Sequence, residues 1–233
     1  MSSLVPSPRV QRKRAERRER IVEAAFQAIA EDGPADFSLN KLARDLDYTP
    51  GALYWYFPSK EALVVEVQCV AFSELTTIIN RERAAWEQQP ALATQDLPCR
   101  RLHSLLALAR FYLDLGRTEP RYFRLIAFSI DPRVWLDDDS AERLAPVLAE
   151  VFLAVAAPFI AAQEDGVLSP GDGAGRAVQY WTALQGLLQT GKLARIAPEL
   201  FDVPRLGADS ARALLLGWGA DPDALERARA LLD

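Results

Sequence analysis

Two helix-start signals eleven residues apart, in SLNKLARDLDYTPGALYWYFPSK (residues 38–60), constrain this chain more than any other feature. Ser38 and Thr49 are both good N-caps, since a short side-chain oxygen accepts from the free amides of a first helical turn. Pro50 suits the first helical position, where its missing N–H costs nothing, and Pro58 closes the second stretch. Leu39, Leu42, Ala43 and Leu46 form the inner stripe of the first helix. Leu53 and Phe57, four apart, form that of the second. Helix, short turn, helix over residues 38–57 predicts a helix-turn-helix.

The rest of the chain reads at a period near 3.6, and no Val/Ile/Thr alternation runs far enough to make a strand. The fold class is all-α. A first helix starts inside a basic N-terminal segment and ends at Asp32–Gly33, with Ile21, Val22, Ala25, Phe26 and Ile29 on its apolar face. Ser59 caps a fourth helix that meets no Gly or Pro until Pro90, a rod of ~45 Å. Further helices are expected at 99–117, 119–130, 140–165, 174–196, 208–218 and 222–232, with breaks at 166–173 and 197–207. The organisation drawn from this is a basic flexible arm (1–16), a helix-turn-helix domain (17–63) and a helical body (64–233).

A formal net charge of −5 argues, on its own, against a nucleic-acid partner. Its distribution reverses that: residues 1–20 hold seven Lys/Arg against two Glu, ahead of an acidic remainder. Local sign is what matters to a polyanion, because affinity comes from counterions released at the contact. The arm, with Arg14 and Arg17, is expected to be partly disordered without DNA and to reach a minor groove; a solvated tail is the competing reading. In a helix-turn-helix the second helix enters the major groove. With Leu53 and Phe57 inward, Gly51, Tyr54, Trp55 and Pro58 face out. Tyr54 offers a hydroxyl to a phosphate, and Trp55 an indole N–H and an apolar edge for a thymine methyl. Gly51 lets the backbone approach. Ser38, Thr49 and Lys60, all at helix starts, suit phosphate oxygens. Such motifs also occur in proteins that never touch DNA, and exposed aromatics also serve protein contacts.

Residues 17–63, RIVEAAFQAIAEDGPADFSLNKLARDLDYTPGALYWYFPSKEAL in their greater part, resemble the DNA-binding head of the TetR/AcrR family of bacterial transcriptional regulators. The family pattern falls on Leu53, Tyr54, Trp55, Tyr56, Phe57, Ser59, Lys60 and Glu61; the stretch ARALLLGWGADPDALERARALL resembles the close of many members. The resemblance implies a homodimer that represses transcription, its head on an operator half-site and its body, a helical ligand-binding and dimerisation domain, on a small effector. It implies phosphate contacts for Tyr54, Tyr56 and Lys60, and positions nearest the bases for Thr49, Pro50, Gly51 and Trp55. Tyr56 stands where the family most often has His.

In the body, an apolar effector pocket is expected among Trp86, Phe111, Tyr112, Phe123 and Phe128, with Arg110, Arg124 or Gln179 meeting a polar end. Trp135 belongs to the same set of body aromatics. Ordinary core packing is the competing reading for each of them. Helices 174–196 and 208–218 are apolar beyond one stripe, which suits a central position or an interface; taken with the resemblance, this implies a dimer bundle built from Tyr180, Trp181, Leu184, Leu188, Leu214, Leu215 and Trp218. Gly186 would allow close helix approach; a monomer burying these faces internally is the alternative.

Other classes find less support. His103 is the sole histidine and has no spacing-matched partners for a triad or a metal, so no catalytic, metal or cofactor site is expected. GDGAG (171–175) follows no strand, and the acidic run 137–139 fits helix capping. Cys69 and Cys99 show no pairing pattern, which suggests a reduced, cytoplasmic setting. Val147–Ala162 is too short and interrupted for a membrane span, and the polar, basic start has no signal-peptide pattern. The reading is an effector-controlled repressor; a ligand-independent architectural or partner-recruiting DNA-binding protein is the alternative, and an enzyme the weaker third.

Overall fold

The computed structural model describes residues 7–33, 36–130 and 137–232. Every regular element among the described residues is helical: α1 (Pro8–Asp32), α2 (Leu39–Asp45), α3 (Pro50–Tyr56), α4 (Lys60–Glu87), α5 (Leu97–Thr118), α6 (Pro120–Ser129), α7 (Asp138–Glu164), α8 (Gly173–Thr190), α9 (Val203–Gly217) and α10 (Pro222–Ala230). Trp135 lies outside the described residues. The chain divides into two compact units, Met1–Phe72 with Pro120–Pro146, and Ser73–Glu119 with Val147–Asp233. Residues 120–146 therefore cluster with the head, not with the body to which the sequence assigned them.

The first unit is built on the apolar faces of α1 to α4. Ile21, Ala25, Phe26, Ile29, Leu42, Ala43, Leu53, Phe57 and Leu63 are all at most 3% exposed. Two side-chain caps set the short helices: Ser38 Oγ accepts from the Lys41 amide at 3.4 Å and Thr49 Oγ1 from the Ala52 amide at 3.3 Å. The turn between them passes through Asp47 in the left-handed region, at φ 58°, which Asp tolerates better than most non-glycine residues. α6 packs on α1. Tyr122 meets Phe26 edge-on at 5.8 Å, and the Arg121 guanidinium lies over both rings.

Where it is described, the basic arm is helical. Pro8 opens α1 behind Ser7, and the helix continues through the arm to Asp32. Arg, Gln, Glu and Ala dominate the stretch and are strong helix formers, and Arg12 pairs with Glu16 one turn on at 3.4 Å. These propensities account for a helix in a stretch expected from the sequence to be a flexible arm.

The second unit packs α9 and α10 on α5, and α9 on α8. Leu102, Leu105, Phe159, Tyr180, Leu184 and Leu215 lie in its core, none more than 2% exposed. This corrects the dimer assignment for Tyr180, Leu184 and Leu215. They are spent on the intramolecular core, and the Tyr180 hydroxyl donates to the Leu105 carbonyl at 2.9 Å. α8 stops at Thr190, where a 3-10 turn (Gly191–Arg195) takes over. α9 begins before the expected residue 208, because Asp202 accepts from the Arg205 amide and Pro204 stands in the first turn.

Candidate nucleic-acid interface and ligand cavity

α3 is anchored from inside by Leu53 and Phe57, 1% and 2% exposed, and turns Tyr54 and Trp55 outward, 49% and 61% exposed. Pro50 and Gly51 are exposed at its start, and Gly51 has open space where a Cβ would stand. Ser38 and Thr49 are exposed, and their caps use a lone pair, so each hydroxyl proton remains available to a phosphate oxygen. Tyr56 is half-buried and meets the Trp55 ring edge-on at 4.8 Å. Lys60 is half-buried, its ammonium 6.0 Å from the Phe37 ring centroid. The Ser59 Oγ accepts from the Ala62 amide at 3.0 Å, capping the start of α4 beside Lys60.

The helical form of the arm divides its cations between two faces. Arg14 and Arg18 turn to α3 and α4: the Arg14 guanidinium lies 4.3 Å from the Trp55 ring centroid, and that of Arg18 5.0 Å from Phe57. Arg18 also pairs with Glu66, which Arg143 of α7 engages through its other oxygen. Burial alone would raise the Glu66 pKa; the two guanidiniums outweigh it and hold the carboxyl below its ordinary value. Arg9, Lys13, Arg17 and Arg20 fall on one stripe of α1 at 100° per residue. All four are exposed, and none has an ion-pair partner among the described residues. This stripe was not legible as such while the arm was read as a coil.

The expected effector set separates. Trp86, Arg110 and Phe111 line one cavity of about 350 Å³ in the second unit, with Glu82, Gln89, Ala107, Asp114 and Leu232. Trp86 and Phe111 lie 5.9 Å apart at 58°. Tyr112 is not among the lining residues: its half-buried hydroxyl donates to Gln185 Oε1 at 2.6 Å and accepts from Trp181 Nε1 at 2.8 Å. Burial pushes its pKa up. Gln179 is exposed on α8, away from the lining. Phe123, Phe128 and Arg124 are corrections too, since α6 belongs to the first unit. Arg124 donates to the carbonyls of Ala30 and Glu31, where a cation suits the negative end of α1. The acidic lining residues were missed because charged side chains on amphipathic helices read as solvated.

An apolar face is also left open in the second unit. Phe152, Leu153 and Ile160 of α7 and Val178 of α8 are 36%, 65%, 36% and 43% exposed. Trp181, half-buried, meets Phe152 edge-on at 5.7 Å. Gly186 is exposed with open space at its Cβ position. Leu188, Leu214 and Trp218 are half-buried, and Trp218 sits against Phe159 and Tyr180 in the core. α4 and α7 are both long and apolar enough to cross a membrane by length and composition, yet half of the α4 window is buried against 28% of that in α7. His103 is fully buried on α5, where desolvation lowers its pKa. Among the described residues, no three His, Cys, Asp or Glu gather as a metal site.

Residues 21–67 match the family model of the bacterial regulatory proteins, tetR family. A curated relative, the HTH-type transcriptional regulator TtgW of Pseudomonas putida, named as uncharacterized, is 33% identical over 76 residues. The match covers 31% of this chain and 56% of TtgW, so the chain spans about half the length of that relative. Among solved structures, the transcriptional regulator FadR from Bacillus subtilis, in complex with stearoyl-CoA, superposes with a TM-score of 0.59 at 14% identity, covering 84% of this chain and 97% of FadR. SmeT, the repressor of the Stenotrophomonas maltophilia multidrug efflux pump SmeDEF, gives 0.57 at 20% identity, covering 88% of this chain and 91% of SmeT. At these identities the likeness is one of fold.

Proposed function

We propose that the chain, whose residues 21–67 match the model of the tetR-family bacterial regulatory proteins, acts as a homodimeric repressor on a palindromic operator and is released by a small-molecule effector. The observation that carries the reading is the pairing of α3 with α1. α3 turns Tyr54 and Trp55 out beside the Ser38 and Thr49 hydroxyls, and α1 adds a stripe of four exposed cations. Tyr54, Tyr56, Lys60 and the stripe would hold phosphates and set the register; Thr49, Pro50, Gly51 and Trp55 would meet base edges. A dimer would read two half-sites about one helical turn apart, ~34–36 Å.

The second copy would cover the open face of α7 and α8, with Phe152, Leu153, Ile160, Val178 and Trp181 at its centre. On this reading the bundle would form on α7 and α8 in preference to α9. A protein partner suits that face because the exposed apolar side chains adjoin an ordered aromatic pair, Phe152 with Trp181. The effector would enter the cavity at Trp86 and Phe111. FadR and SmeT lend the fold and the precedent of ligand-bound or repressor members. The test is a selection from randomised duplex DNA with the purified chain, followed by binding to the selected site. A palindromic site, lost on Tyr54→Ala and weakened on Lys60→Ala without a change in thermal midpoint, is the expected result. Failure to enrich any site overturns the repressor reading.

A further inference from the structure

We infer that the cavity of the second unit selects a small aromatic cation, a quaternary or protonated amine carrying one ring, over neutral or anionic molecules of the same size; this rests on the effector reading above. Two aromatic rings and two carboxylates meet in its wall: Trp86 and Phe111, with Glu82 from α4 and Asp114 from α5. The lining holds one cation against them, Arg110, and its guanidinium is engaged by the Leu232 carbonyl. Two carboxylates against one guanidinium leave the wall formally negative.

Neither carboxylate is used up by its neighbours. Glu82 Oε1 accepts from Arg81 at 2.8 and 3.2 Å, and Asp114 Oδ1 from Arg117 at 2.9 Å. Glu82 Oε2 and Asp114 Oδ2 have no hydrogen-bond partner among the described residues. The two arginine side chains are 71% and 79% exposed and do not line the cavity, so these are surface pairs of small worth, screened by salt.

Each ligand charge state meets this wall differently. An anion would meet two carboxylates and one guanidinium that is already hydrogen-bonded. A neutral molecule would strip water from both carboxylates and give nothing back. A cation is paired by the carboxylates and lies against the electron-rich faces of Trp86 and Phe111, the arrangement that recognises quaternary ammonium groups. The cavity, at about 350 Å³, stands at the small end of the ~300–1,000 Å³ of small-molecule sites, so one ring and a compact ammonium suit it.

The test is calorimetric titration of the full chain with three one-ring probes of differing charge: benzyltrimethylammonium, benzyl alcohol and 3-phenylpropionate. We expect the cation to bind at least ten-fold tighter than the other two. Glu82→Gln with Asp114→Asn should weaken the cation ten-fold or more while benzyl alcohol binds as well or tighter, its desolvation cost being reduced, and the thermal midpoint stays unchanged; each single variant should fall between. Trp86→Ala should weaken all three probes. Tighter binding of 3-phenylpropionate, or cation affinity indifferent to the double substitution, overturns the cationic class and leaves the cavity as a ligand site. No binding by any of the three overturns both the class and the effector reading of this cavity.

Discussion

Trp55 shows what one residue contributes to the head. It is 61% exposed, yet its ring is held on two sides, by the edge of Tyr56 and by the Arg14 guanidinium 4.3 Å from its centre. On the proposed reading Arg14 would act as a positioning residue, holding the indole in place before DNA binds. A cation–π contact at an exposed site contributes about 0.5–1 kcal/mol. Arg14→Ala should therefore cost two- to five-fold in discrimination at the base pairs that Trp55→Ala also relaxes, with Arg14→Lys intermediate; site selection with the three variants reads it. Glu66 offers a second test. Its folded pKa lies below the ordinary 4.5, so its stabilising effect is complete above that value and fades as pH falls through the lowered one. Glu66→Gln should destabilise the fold at pH 7, by roughly 1–2 kcal/mol given half-exposed partners, and flatten the acid limb of a pH–stability profile. The inward and outward residues of α3 were legible in the sequence because a period-four apolar pair fixes a helix's orientation. The Arg14–Trp55 stack was not, since nothing local joins positions so far apart in the chain.

At the scale of elements, α1 and α7 are where sequence and structure part. The sequence predicts a flexible arm over residues 1–16, with the first helix starting inside the basic segment; the helix begins at Pro8, and only the helix sorts cations into a stripe. Replacing Arg9, Lys13, Arg17 and Arg20 with Gln should reduce the slope of log affinity against log salt by up to about 0.9 per residue. A titration from low to high salt tests this, and an unchanged slope would remove the stripe from the interface. In α8 and α9 the sequence showed helices apolar on more than one side. It had no means to say which side faces inward, and Tyr180, Leu184 and Leu215 went to the core. An unpaired apolar surface among the described residues lies on α7, with Val178 of α8 beside it; α7 runs through Pro146 and Pro158 as one helix. Leu153→Glu, at a side chain 65% exposed, should leave a folded protomer, its stability within about 0.5 kcal/mol, and abolish the dimer in sedimentation velocity.

For the whole molecule, α4 supplies both Lys60 and Trp86, so one helix has a part in each proposed site. If binding at the two sites is coupled, the coupling is reciprocal: an effector that weakens operator affinity is itself bound more weakly in the operator complex, by the same factor, corresponding to about 1–3 kcal/mol. Equal ligand affinity with and without operator would leave a DNA-binding protein without a switch. The two units are also threaded through one another along the chain, for the first is not complete until Pro146. On the ribosome, at ~5–20 residues per second, the segment from Phe72 to Pro146 takes about 4–15 s to make. For about the first two thirds of that interval α1 and α3 have been made, but Phe26 has no Tyr122 against it and the end of α1 has no Arg124. The nascent head must wait, unfinished, for a segment encoded well downstream of it, so a message cut short before that point yields a head lacking part of its own packing.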